Sequence, residues 1–185
     1  MDSHAAVARV RQQLTDELVV ASLGTPTALL NLAGDRPLNF YMWSAMGLAS
    51  SVALGLAIAQ PDRKVIVLDG DGSALMNLNG IVTVGWQAPS NLVWIILENG
   101  LFLETGGQPI AAGKTADLVA IARGCGIARA EAVNSLDSLG ASLEAALATD
   151  ELSLIVAKVG RQTTRNHAVL DPIRVKNRFM DALAS

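Results

Sequence analysis

Cysteine is almost absent from this sequence. A single one, Cys125, excludes an intrachain disulfide framework and any Cys-x-x-Cys metal or iron–sulfur site, and it fits a reducing compartment. Aromatic residues make up only 4% against 51% hydrophobic residues, so a core must come mostly from Ala, Val, Leu and Ile. No Lys/Arg run or basic face is visible and the formal net charge is −3, which argues against nucleic acid as a partner. The start, "MDSHAAVARVRQQL", lacks the apolar stretch of a secretory leader. Residues 37–61 carry no charge, but their most apolar part, "AMGLASSVALGLAIA", is fifteen residues with two Ser and two Gly. A spanning helix needs roughly 20 predominantly apolar residues. The segment therefore reads as a helix buried on most of its surface, with small residues packing against another helix. A cytoplasmic protein without membrane contact is expected.

What is present is alternation. Apolar runs at 18–22, 39–43, 64–69, 91–97, 127–132 and 153–159 read as strands. Helical patterns fall near 4–16, 26–33, 47–60, 74–86, 115–124, 136–149 and 171–183. Asp171 followed by Pro172 is a good start signal for the last helix. Runs such as "VIVL" and "LVWIIL" are apolar without alternation, as in strands covered on both faces. The pattern predicts one domain over residues 1–185, with a mainly parallel sheet between helical layers. No repeat, low-complexity tract or interior linker breaks it.

In such a sheet ligands bind beyond the carboxyl ends of the strands. "VIVLDGDGSALMNLNG" runs from a strand through Gly70, Asp71, Gly72 and Ser73 into a helical pattern. The glycines allow close approach of a ligand, and the N–H groups opening a helix suit a phosphate. Asp71 would repel that phosphate unless a cation lay between them. The local physics favours a diphosphate paired with Mg²⁺. An Asp-Gly turn accounts for the same residues without any ligand. Asn99 follows 28 residues later at the end of the next strand, where its neutral amide oxygen suits Mg²⁺ or simply makes an Asn-Gly turn.

"GDGS" followed about thirty residues later by "ENG" resembles the thiamine diphosphate motif, usually GDG and then Asn-Asn. Three stretches carry a closer resemblance, to the diphosphate-binding half of phosphonopyruvate and sulfopyruvate decarboxylases. They are "DRPLNFYMWSAMGLASSVALGLAIAQPDRKVIVLDGDGSALMNL", "NGLFLETGGQP" and "VKNRFMDAL". The resemblance implies a three-layer α/β/α fold with six strands in the order 2-1-3-4-6-5. It assigns Asp71, the Asn99 side chain and the Leu101 carbonyl to Mg²⁺, and Gly70, Gly72 and Ser73 to the diphosphate. Met46, in "SAMG" with Gly47, matches the apolar residue that wedges under the bent cofactor, although Met is more often plain core. The Ser44 carbonyl would accept from the pyrimidine amino group. Thr105 to Gln108 would line the mouth, or form only a flexible glycine loop. Glu104 and Gln108 are the weak catalytic candidates, with an exposed loop acid the favoured reading of Glu104.

Two departures stand out. Glu98 replaces the first Asn of the motif, and a surface or helix-capping role is expected for it. Leu101, Phe102 and Leu103 give the substrate side an apolar character, unless they point into the core. The glutamate that activates the cofactor lies, in the families resembled, in a second α/β domain for which there is no room here. The expectation is half an enzyme, self-associating as a dimer or larger. A separate pyrimidine-binding subunit would supply that glutamate. The expected reaction is nonoxidative decarboxylation of a short 2-oxo acid to an aldehyde and CO₂. Acyloin formation and a non-catalytic binding or assembly subunit are the alternatives. A nucleotide-binding protein fits less well, because neither GxGxxG after the first strand nor a P-loop lysine is present.

Overall fold

Strands that are apolar on both faces must be covered on both faces, and this requirement sets the architecture. The computed structural model describes residues 1–161 and 171–184. Among them, β1 (Leu18–Ala21), β2 (Asn39–Tyr41), β3 (Val65–Gly70), β4 (Leu92–Glu98), β7 (Arg129–Val133) and β8 (Ser153–Lys158) form one parallel sheet, ordered β2-β1-β3-β4-β8-β7. The remaining pair, β5 (Leu101–Phe102) and β6 (Gln108–Pro109), is a short antiparallel hairpin beyond β4. With the hairpin set aside, the order is the expected 2-1-3-4-6-5.

Alternate strand residues feed two cores. Val65, Val67, Trp94, Ile96, Leu154 and Val156 pack with α3 (Ala49–Ala59), α5 (Leu78–Gln87) and α6 (Leu118–Gly124). Ile66, Leu68, Val93, Ile95, Leu97 and Ile155 face α1 (Ser3–Gln12), α2 (Thr25–Gly34) and α7 (Leu136–Leu147). The last helix, α8 (Pro172–Ala184), lies over the edge strand β2, with Phe179 against Phe40 at 5.4 Å between ring centroids. Its start is capped as expected, Asp171 accepting from the Ile173 and Arg174 amides at 2.9 and 3.2 Å. A covered edge has no free ladder to offer another chain.

Two expectations change. The helix expected over 74–86 begins at Asp71 and breaks at Asn77, giving α4 (Asp71–Met76) and α5. The cause is tertiary: Asn77 Nδ2 donates to the Gly47 carbonyl at 2.8 Å, and its own backbone leaves the helical region. Helix α3 buries one face rather than most of its surface. Ala49, Ser50, Ala53, Leu54 and Ala57 go inward, while Leu48, Val52 and Ile58 stay exposed beside Leu78, Val82 and Trp86. No described helix is long and apolar enough to cross a membrane.

Candidate functional site

Parallel register brings the carboxyl ends of β1, β3 and β4 to one edge: Ala21 pairs with Leu68, and Gly70 with Leu97. The next residues in each chain segment are therefore neighbours. Asp71 is 1% exposed. One of its oxygens accepts from the Gly72 amide at 2.8 Å and the other from the Gly100 amide at 2.7 Å. Burial pushes its carboxyl up, and the Glu98 charge adds to this; the amides of Gly100, Gly72 and Asn99 pull the other way without cancelling it. A buried carboxylate left short of compensation calls for a cation. The Asn99 amide oxygen accepts from the Leu101 amide at 2.8 Å, which curls the loop around and keeps a second lone pair available.

Gly72 is tightly covered. A Cβ there would lie 2.5 Å from the Phe102 ring and 3.5 Å from the Met46 methyl. Phe102 thus points toward the core and over the Gly70–Ser73 turn, and Met46, half-buried, converges on the same point. Met46 sits in a loop of unusual backbone: Ser44, Ala45 and Gly47 have φ of 65°, 57° and 91°. Left-handed geometry at two successive residues other than glycine is costly and marks functional loops.

The Ser73 hydroxyl does not face the open side. It accepts from the Gly47 amide at 3.0 Å and from Ser22 Oγ at 3.1 Å, inside the fold. Asp69, fully buried near the end of β3, accepts from the Gly70 amide at 2.9 Å. Burial pushes its carboxyl up to about 6, against the opposing pull of Ser73, Gly70, Ser22 and Trp94. Its Oδ2 and the Trp94 indole Nε1 meet no partner at hydrogen-bond distance among the described residues.

At the mouth, Thr105 Oγ1 donates to Gln108 Oε1 at 2.9 Å and Gln108 Nε2 returns to the Thr105 carbonyl at 2.8 Å, closing the hairpin tip. Both are exposed, as is Glu104, whose carboxylate lies against the Gly24 backbone at the β1–α2 turn. The tip is thus a folded hairpin rather than a slack glycine loop. Glu98 is neither a surface acid nor a helix cap. It is buried at the end of β4, paired with Lys158 across from it on β8. His167 and Arg165 lie outside the described residues.

A family profile described as "Thiamine pyrophosphate enzyme, C-terminal TPP binding domain" matches residues 24–157, which include Asp71 and Asn99. The chain belongs to the thiamine pyrophosphate enzymes. Among their 2-oxo acid decarboxylases, it is 39% identical to sulfopyruvate decarboxylase subunit beta of Methanocaldococcus jannaschii, over 90% of this chain and 88% of that subunit. It is 40% identical to phosphonopyruvate decarboxylase of Streptomyces viridochromogenes, over 95% of this chain but only 44% of that protein. In solved structures, the thiamine diphosphate-dependent 4-hydroxybenzoylformate decarboxylase of Rhodococcus jostii superposes with a TM-score of 0.72 at 27% identity, over 89% of this chain and 33% of that one. The chain thus matches most of a separate subunit and less than half of the single-chain decarboxylase.

Sequence reading alone missed three parts of this thiamine pyrophosphate enzyme's site. Ser22 was legible only as the polar residue closing an apolar strand. Asn77 interrupts the apolar pattern of "ALMNLNG" without naming its partner. Phe102 was one of three adjacent apolar residues, and the sequence did not say which covers Gly72.

Proposed function

We propose that this chain is the cofactor-holding subunit of a two-chain thiamine diphosphate-dependent decarboxylase. Its substrate is a short 2-oxo acid of the sulfopyruvate or phosphonopyruvate kind, and its products are CO₂ and an aldehyde. The observation that carries the reading is the Gly100 N–H to Asp71 Oδ2 bond, which ties the GDG turn to the Asn-Gly turn. It holds the Asp71 carboxylate against the loop that carries Asn99 and Leu101, whose amide and carbonyl oxygens would complete a hard oxygen set of the kind Mg²⁺ takes together with phosphate oxygens. Coverage is the second support, since the chain matches 88% and 92% of two relatives that bear the name of a β subunit.

In this reading Asp71, Asn99 and the Leu101 carbonyl hold Mg²⁺. The backbone at Gly70, Gly72 and Ser73 faces the diphosphate, and the Ser73 hydroxyl is turned inward. Bound thiamine diphosphate would supply the nucleophilic carbon and the electron sink for loss of CO₂. The chain's own part is to bind and bend it: Met46 props the rings, the Ser44 carbonyl accepts from the pyrimidine amino group, and Phe102 keeps water off Gly72. Thr105 and Gln108 form the rim that meets the substrate, with Glu104 beside it. The activating glutamate comes from a pyrimidine-domain subunit, so the assembled sites lie between unlike chains.

The test is CO₂ release from a panel of 2-oxo acids, by this chain alone, with a pyrimidine-domain subunit, and with that subunit's glutamate replaced by Gln. Turnover is expected only in the second case, and EDTA should remove it while added Mg²⁺ restores it. Full turnover by this chain alone would overturn the two-chain reading.

A further inference from the structure

The strained loop at Ser44–Gly47 needs something to hold it. An L-residue in left-handed geometry is sterically strained, and such residues persist only where their surroundings over-determine them. Gly47, at the end of the loop, is gripped at both backbone groups. Its N–H donates to Ser73 Oγ at 3.0 Å, and its C=O accepts from Asn77 Nδ2 at 2.8 Å. The grips come from Ser73 in α4, the short helix opened by the GDGS turn, and from Asn77, the residue that caps its end. The Ser73 hydroxyl is itself fixed in orientation. Its oxygen accepts from the Gly47 N–H and from Ser22 Oγ at 3.1 Å, which fills both of its acceptor positions. Ser22 and Ser73 are buried, so water does not compete for these bonds.

We propose that Ser73 and Asn77 are positioning residues that latch the Met46 loop to the diphosphate turn, with Ser22 holding the Ser73 hydroxyl in place. The latch rests on the reading of Met46 as the prop of the bent cofactor. Its consequence is a division of labour within one turn. The α4 backbone meets the diphosphate, while the α4 side chains set the angle at which Met46 meets the rings. Ser73 is then a determinant of turnover rather than of cofactor affinity.

The test uses the full chain and its complex with a pyrimidine-domain subunit, in wild type, Ser73→Ala, Asn77→Ala and Ser73→Thr. Amide hydrogen exchange is followed in the peptide 43–48 of the full chain. Thiamine diphosphate affinity is measured by calorimetry with Mg²⁺, and kcat at saturating cofactor. Removal of one grip should speed exchange about tenfold and lower kcat about tenfold, as expected for one buried hydrogen bond. Cofactor affinity should change by less than about threefold. Ser73→Thr, which keeps the acceptor, should restore protection and kcat. Unchanged exchange in both Ala variants overturns the latch. So does a Ser73→Ala variant that loses affinity but turns over normally when saturated, since that makes the hydroxyl a diphosphate ligand. If Ser73→Ala does not fold, Asn77→Ala decides alone, because Asn77 grips the same residue from the far end of α4. A wild-type complex without cofactor binding or decarboxylation defeats the proposed function, while the exchange data still decide the latch.

Discussion

At Asp71, burial works against the carboxylate charge while the Glu98 carboxylate lies nearby. On the proposed reading, removing Asp71 takes away a metal ligand but little of the core. Asp71→Ala should abolish thiamine diphosphate binding by the assembled enzyme while the circular dichroism and unfolding midpoint stay close to wild type. Calorimetry giving wild-type affinity in that variant would sink the assignment. The role proposed for Met46 is on geometry instead. Met46→Ala should lower kcat by about tenfold or more, because misplacement of a bound group costs rate rather than phosphate affinity. Equal turnover in the folded variant would make Met46 ordinary core. Asp71 was legible from the residues themselves, since a carboxylate stands out between strand-end glycines, whereas Met46 was a candidate only through the family resemblance. Glu98 was legible in neither way. Its place in the interior depends on Lys158, sixty residues away and one strand over.

At the level of elements, α8 depends on one ion pair as well as on Phe179. Arg178 makes two bonds to Asp35, and Tyr41 Oη donates to the same carboxylate at 2.8 Å. Burial alone would raise the Asp35 pKa. The bonds from Arg178 and Tyr41 and the guanidinium charge outweigh it, so the carboxyl sits below the usual 3.8. Tyr41 moves the other way, up to about 12, chiefly through burial. A depressed carboxylate stabilises the fold above its unfolded value and loses that contribution as pH falls through its folded value. The hold on α8 should therefore weaken below about pH 3.8. The acid limb of the unfolding midpoint should flatten in Asp35→Asn, and an unchanged limb would show that the pair is too well solvated to matter. The strands were legible because doubly covered strands leave long apolar runs. The break between α4 and α5 was not, since it is set by a bond from Asn77 to Gly47, thirty residues away. Two-residue strands such as β5 and β6 are too short to leave a period at all.

For the whole molecule, the exposed apolar residues matter more than the buried ones. Leu48, Val52, Ile58, Val82 and Trp86, the last 80% exposed, stand on the neighbouring helices α3 and α5, which leave the same side of the sheet. Patches of this kind mark association surfaces. Val52→Glu should shift the chain toward monomer in sedimentation velocity and weaken its capture of the pyrimidine-domain subunit. Its unfolding midpoint should move little, because Val52 is already exposed. An unaltered sedimentation profile and unaltered capture would place the contact elsewhere. The sequence revealed the apolar segment but not its orientation. Fifteen residues without charge look alike on every side until the sheet takes one face.

The backbone at Ser44 and Ala45 implies something about how this protein would respond to selection for hardiness. Glycine at position 45 would relieve a left-handed residue of its steric penalty, roughly 1–2 kcal/mol, against about 0.5–1 kcal/mol of added chain entropy in the unfolded state. Ala45→Gly should thus melt slightly higher and turn over more slowly, as differential scanning calorimetry and steady-state assays on the complex would reveal. A chain screened for heat resistance alone would drift toward that replacement and lose speed. The alanine persists only where catalysis is under test, so heat-tolerant but sluggish descendants are the expected products of thermal selection on this loop.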